Sequence, residues 1–129
     1  MEYLIGFGLA AVFCAFANAA GFDRDRAFYA AVTIAVATYY ILFAAMASSN
    51  QALIQESLIA CAFIALAVAG FKRNLWLIAA AIAAHGVFDL VHHLLIHNPG
   101  VPVWWPGFCS SFDVFAGGFL ALLVRRRTA

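Results

Sequence analysis

The sequence predicts an all-α integral membrane protein with five transmembrane helices, its N-terminus outside and its C-terminus in the cytoplasm. Apolar residues make up 67% of the 129-residue chain and charged residues only 10%, with a mean hydropathy of +0.97. A soluble domain of this size needs far more polar surface. The second observation is the spacing of the positive charges, which occur only after every second apolar segment.

Five apolar segments are long enough to be considered as spans, since a span requires about 20 mostly apolar residues. They form one domain, 1–129, and cover residues 3–20, 27–47, 52–71, 75–97 and about 107–124. The fifth is the least defined, because its clean apolar run extends only from Val114 to Val124. The first segment ends in an Ala-x-Ala pattern at Ala17, but it lacks the basic region of a signal peptide. We therefore expect it to be retained as a helix.

The positive charges orient the chain. The seven are Arg24, Arg26, Lys72, Arg73, Arg125, Arg126 and Arg127. They follow the first, third and fifth segments, which the positive-inside rule places in the cytoplasm, and a four-span chain would break this alternation. We expect a multi-pass protein of the bacterial inner membrane, surrounded by the lipid bilayer and without a nucleic-acid partner. Thin, alanine-rich helices are compatible with a homo-oligomer.

Function is indicated most strongly by segment four, which holds all four histidines and one aspartate within 13 residues. Ionisable residues in a lipid-spanning helix are costly and usually functional. At 100° per residue, His85, Asp89 and His92 fall within an arc of about 60°, and His93 widens it to about 100°. Side chains at such spacing can share a metal ion, as in the zincin helix. His97 lies on the flank, where it is expected to mark the membrane interface.

Two acidic residues on other segments are expected at the same depth. The topology places Glu56 and Asp113 in the outer half of the bilayer, whereas the inner half of the spans is nearly free of ionisable groups. One water-accessible cavity open to the exterior would explain this distribution. Glu56 and Asp113 are the candidate catalytic acids or bases. The predicted metal ligands are His85, Asp89, His92, His93 and Asp113.

Other polar positions have simpler interpretations. Cys14 and Cys61 are read as small apolar residues, and Cys109 is placed in the outer loop; the three form no C-x-x-C pair and no disulfide framework. Tyr40 is assigned to the outer half of segment two, where it is expected to face lipid or the core. For His85, Asp89 and His92, which form a stripe on one helix face, the alternative is a hydrogen-bond network that fixes helix packing. Likewise, Glu56 can mark a polar helix start, and Asp113 a helix N-terminus.

The run from His85 to about Leu123 resembles a family of small bacterial integral membrane proteins known only as a domain of unknown function. The matching pattern is His-x-x-aromatic-Asp-x-x-His-His, then Asn98-Pro99, Pro102 and Cys109-x3-Asp113. The family often has Trp at the aromatic position and a second Cys before the last Asp, where this chain has Phe88 and Phe112. The resemblance implies that His85, Asp89, His92, His93 and Asp113 form one site. It implies no activity.

The favoured function is a metal-binding membrane protein, as a membrane-embedded metalloenzyme with Zn or Fe that acts on a hydrophobic or lipid-like substrate from the outer-leaflet side. The alternatives are non-enzymatic binding or transport of a metal, haem or protons, and a structural subunit with a buried His/Asp network. A through-channel is disfavoured because no polar path continues below His85. Four histidines are also too few for a histidine-rich di-iron centre.

Overall fold

A computed structural model describes residues 1–128. Its long helices are α1 (Glu2–Ala20), α2 (Phe28–Met46), α3 (Asn50–Lys72), α4 (Leu75–Leu95) and α5 (Trp105–Thr128). A short 3-10 helix, Phe22–Arg24, lies between α1 and α2, and no strand occurs among the described residues. All five long helices have the length and apolar composition needed to cross a membrane. The predicted all-α class with five spans is confirmed.

Local chemistry explains where several helices begin and end. Gly21 closes α1 in the left-handed conformation, with φ of 86°, which glycine adopts without a Cβ penalty. The Ser49 side chain accepts a hydrogen bond from the Ala52 amide at 3.3 Å, and the Asn74 side chain accepts one from the Trp76 amide at 2.9 Å. Both are N-cap residues that satisfy otherwise unpaired helix donors.

The ends of α4 and α5 differ from the sequence prediction in a way that affects the site. Helix α4 ends at Leu95, so His97 lies in the following loop. Pro99 has no N–H to donate to the Leu95 carbonyl, and it disfavours helical geometry in the residue before it. Helix α5 begins at Trp105 rather than near residue 107, because Pro106 is tolerated in a first turn. Cys109 was expected in the outer loop, because the clean apolar run begins only at Val114, but it lies inside α5.

The helices are arranged in the order α1, α5, α4, α3, α2. Helix α4 packs against both α5 and α3, α1 packs against α5, and α2 packs against α3 with a smaller contact to α4. Helices α1 and α2 are thus at the two ends of the series. A cavity remains between them, with α5 as its third wall.

Small residues allow α4 and α5 to approach closely. A Cβ at Gly86 would lie 3.0 Å from the Ser110 carbonyl oxygen and 3.1 Å from the Asp113 Cβ. A Cβ at Gly117 would lie 3.0 Å from the Ala79 carbonyl oxygen. Glycine at such contacts lets helix backbones meet. The close approach at Gly86 brings the polar residues of the two helices together.

One end of the bundle collects the positive charges. The Arg26 guanidinium donates a hydrogen bond to the Phe71 carbonyl at 2.5 Å, and Arg127 donates one to the Asp23 carbonyl at 3.1 Å. The α1–α2 connection, the α3–α4 turn and the end of α5 therefore meet, as the charge pattern predicts. Apolar side chains including Ile78, Ile82, Leu120 and Val124 fill the core next to this end.

Candidate metal centre

Four buried side chains, two from α4 and two from α5, converge in the half of the bundle away from the positive end. They are His85, Asp89, Cys109 and Asp113, with exposed fractions of 1%, 0%, 4% and 0%. One potential ligand atom from each lies within 4.8 Å of all the others. We call this group the buried cluster. Among residues 1–128 no other group of three or more His, Cys, Asp or Glu side chains is gathered in this way.

The spacing on each helix explains how the buried cluster forms. His85 and Asp89 are four residues apart on α4, and Cys109 and Asp113 are four apart on α5, so each pair lies on one face of its helix. The His85 Nδ1–H donates a hydrogen bond to Asp113 Oδ2 at 2.8 Å. The Cys109 thiol donates to the same oxygen at 3.6 Å, and Asp89 Oδ2 lies 3.7 Å from His85 Nδ1.

Tyr40 on α2 completes the surroundings of the buried cluster. Its hydroxyl, 2% exposed at the residue level, donates to Asp89 Oδ1 at 2.6 Å. The other oxygen, Asp89 Oδ2, has no hydrogen-bond partner, and neither has Asp113 Oδ1. Sequence reasoning expected Tyr40 to face lipid or the core and did not include it in the site. The only signal in the sequence was a phenol hydroxyl in an apolar span. The sequence does not show that α2 contacts α4, so it could not identify Asp89 as the partner of this hydroxyl.

A second buried polar group lies beside the cluster. The His92 Nε2–H donates to Glu56 Oε2 at 2.6 Å, and the Asn98 amide donates to the same oxygen at 2.8 Å. The His92 ring stacks on the Tyr40 ring, with centroids 3.9 Å apart and planes inclined by 8°. Glu56 Oε1 has no hydrogen-bond partner. Glu56 is thus a buried partner of His92 rather than a solvated polar helix start.

The structure does not bring His92 and His93 into the buried cluster, although both were predicted as metal ligands with His85. Seven residues separate His85 from His92, a rise of about 10 Å along a helix, which exceeds the reach of one metal ion. His93 is exposed, as is His97. The helical stripe therefore divides into two groups at different depths.

The single cavity expected to hold all these residues is also divided. An outer pocket of about 430 Å³ is lined by His92, His93, His97 and Asn98 among others. The four residues of the buried cluster do not line it.

A different cavity reaches the buried cluster. This lateral groove, of about 580 Å³, is lined by residues including Leu9 and Phe13 of α1, Val32 and Ala35 of α2, and Cys109 and Phe112 of α5. Leu9 and Ala35 are exposed, so the groove opens on the surface of the bundle. Cys109 belongs both to the groove and to the buried cluster, and it is the site residue that sequence reasoning missed.

The donor set suits a transition-metal ion. Tetrahedral Zn²⁺ with bonds of about 2.0–2.3 Å holds its ligand atoms about 3.3–3.8 Å apart, so the four donors would need to move by only about 1 Å. A thiolate and an imidazole favour Zn or Fe over Mg or Ca, which prefer oxygen ligands alone. His85, Asp89, Cys109 and Asp113 are therefore the residues that can hold a metal.

Comparisons with known proteins add no relative. No family model, no curated protein and no solved structure matches this chain. The resemblance drawn from the His-x-x-aromatic-Asp-x-x-His-His pattern stays a prediction.

Proposed function

We propose that this chain is a membrane-embedded metalloprotein that binds one divalent Zn or Fe ion through the buried cluster. The observation that carries the proposal is a pair of buried carboxylates, Asp89 and Asp113, each with one oxygen that has no hydrogen-bond partner. One ligand atom from each carboxylate, from the His85 imidazole and from the Cys109 thiol lies within 4.8 Å of the other three. Buried carboxylates need protons or a cation to offset their loss of hydration. A divalent ion supplies that charge.

An enzymatic role follows if His85, as the Nε2–H tautomer, binds the ion through Nδ1 in place of its hydrogen bond to Asp113, and Asp113 carries a proton instead of ligating the ion. His85, Asp89 and Cys109 would then supply three ligands, and catalytic zinc sites characteristically pair three protein ligands with one open position. A metal bound there would supply Lewis acidity and an ionisable water. Asp113 would serve as the acid or base, as predicted. Glu56 is a candidate proton carrier. It is hydrogen-bonded to His92, whose ring stacks on Tyr40, the hydrogen-bond partner of Asp89.

The substrate of such an enzyme would be hydrophobic or lipid-like. The site lies among helices that can span a membrane, in the half of the bundle that the positive-inside rule assigns to the outer leaflet. Hydrolysis and oxidation are both compatible with the donor set. We place the protein in the bacterial inner membrane on the charge pattern described above.

Metal analysis of the purified protein tests the proposal. After expression in metal-replete medium, we expect about one equivalent of Zn or Fe in the wild type. His85→Ala and Cys109→Ser should lose it, because each removes a ligand. The matched controls His93→Ala and Cys61→Ser should retain it, since both residues are exposed. Retention of metal by Cys109→Ser and His85→Ala, or a metal-free wild type, would contradict the proposal.

A metal-free structural network is the second candidate, and the hydrogen bonds favour it specifically. The 2.8 Å contact between His85 and Asp113 and the 2.6 Å contact between Tyr40 and Asp89 join three helices without an ion. In that case chelators would leave the thermal unfolding temperature unchanged, whereas a metalloprotein should be destabilised by ion removal. A haem Soret band in the purified protein would instead support the haem alternative.

A further inference from the structure

The lateral groove is almost wholly apolar, and it has defined ends. At one end Phe13 and Phe28 stack, with ring centroids 5.7 Å apart. At the other end Tyr39 and Trp105 meet edge to face at 5.0 Å. All four residues line the groove. Phe28 and Tyr39 are 11 residues apart on α2, a distance of about 16 Å along the helix.

This length distinguishes between occupants. A transmembrane helix of a second copy would cross about 30 Å of hydrocarbon and would run past both aromatic ends. A length of about 16 Å is instead close to half of that thickness, which is the depth of one leaflet. A single hydrocarbon chain fits the lining, because the groove opens within the span, where its surroundings are lipid tails.

The groove also reaches the buried cluster through Cys109. Cys109 lies four residues into α5 from Trp105, about 6 Å along the helix, so it is nearer the Tyr39–Trp105 end. Its thiol contacts Asp113 in the buried cluster at 3.6 Å. His85, Asp89 and Asp113 line neither the lateral groove nor the outer pocket. Of these two cavities, only the apolar lateral groove therefore reaches the buried cluster, and it does so at Cys109.

We propose that the lateral groove binds the single hydrocarbon chain of an acyl or isoprenoid lipid, with the polar end of the lipid at Cys109 and its tail directed toward Phe13 and Phe28. This inference rests on the proposed function and names its substrate class. Entry is sideways from the bilayer, between α1 and α2. The outer pocket, with its histidines, is not the entrance.

The first experiment uses cobalt-loaded protein in lipid nanodiscs and two hydroxamic acids, which share a metal-binding head group and differ in the length of their hydrocarbon chain. Dodecanohydroxamic acid should change the Co²⁺ absorption spectrum saturably, and acetohydroxamic acid at the same concentration should not. Ala35→Trp fills the groove from an exposed position on α2 and should weaken the effect at least tenfold. Ala65→Trp, an exposed alanine on α3 that does not line the groove, should leave it unchanged. Equal responses to both hydroxamates would overturn the proposal.

The second experiment does not depend on metal. A palmitate analogue carrying a diazirine is cross-linked to metal-free protein, and the labelled peptides are mapped. Label should concentrate on α1 and α2 in the wild type and in Ala65→Trp, and should disappear from them in Ala35→Trp. Uniform label over α3, or cross-links between two copies across the groove, would overturn the proposal. Failure of cobalt binding would instead count against the proposed metal site, which keeps the two failures distinguishable.

Discussion

At the scale of single residues, Tyr40 has the most informative position. Its hydroxyl binds one oxygen of Asp89 at 2.6 Å and leaves the other without a hydrogen-bond partner. Partners of this kind hold a ligand in the orientation that a metal requires. Tyr40 is therefore a positioning residue for the proposed site.

Tyr40→Phe should lower metal affinity by about 10–100-fold, the usual effect of losing such a partner. The phenyl ring retains the stacking on His92, so we expect the fold to persist. Competition with a chelator of known affinity measures the change, and circular dichroism checks the fold. Tyr39→Phe is the control, because Tyr39 is a neighbouring exposed tyrosine. Equal affinity in the wild type and Tyr40→Phe would show that the hydroxyl has no positioning role.

Sequence reasoning placed three of the four cluster residues in one site but could not complete it. His85 and Asp89 share a helix face, which spacing reveals, and topology puts Asp113 at a similar depth. Cys109 was placed in the outer loop because the clean apolar run of the fifth segment begins only at Val114, so its spacing of four residues from Asp113 was not read as one helix face. His92 has the correct face but the wrong depth for sharing an ion with His85, and helical angles alone do not show which neighbour each side chain meets.

At the scale of elements, the contact between α4 and α5 determines the geometry of the site. Every residue of the buried cluster belongs to one of these two helices. Their separation depends on small residues such as Gly86 and Gly117 at the interface. The periodicity of the sequence predicted both helices, but alanine and glycine are so frequent in this chain that no single interface could be read from them.

Adjacent glycines on α5 provide a test of this contact. Gly117→Leu should destabilise the protein by roughly 1–3 kcal/mol, the usual cost of overpacking, and should weaken metal binding as α4 and α5 separate. Gly118→Leu should be neutral or stabilising, because a Cβ there meets nothing within 4 Å and leucine favours helix. Thermal unfolding in detergent compares the two variants. Equal destabilisation would show that the interface is not tightly packed.

At the scale of the whole molecule, charge and polarity divide the bundle into two halves. The seven basic residues gather at one end, where Arg26 and Arg127 join three parts of the chain. An apolar core follows, and the buried cluster lies beyond it. This division was visible in the sequence because charge placement in a membrane protein is a property of position along the chain rather than of tertiary contacts.

The orientation in the membrane can be tested with reporters. A fluorescent protein fused after residue 129 should fluoresce, since fluorescence requires a cytoplasmic location. Alkaline phosphatase fused after Asn50 should be active, because the α2–α3 connection is expected outside. Replacing the three terminal arginines Arg125, Arg126 and Arg127 with glutamine should reduce the fluorescent fraction. Activity of phosphatase fused after Arg73 would contradict the predicted topology.

Because the buried cluster is divided between α4 and α5, its residues are synthesised at different times. Asp89 is synthesised 24 residues before Asp113, an interval of about 1–5 seconds at common translation rates. Tyr40 precedes Asp89 in the chain, so the hydrogen-bond partner of this aspartate has already been synthesised when Asp89 is added. Cys109 and Asp113 arrive only with α5. The site is therefore assembled only once α5 has been inserted, and a chain stalled before α5 would expose an unfinished polar surface to lipid.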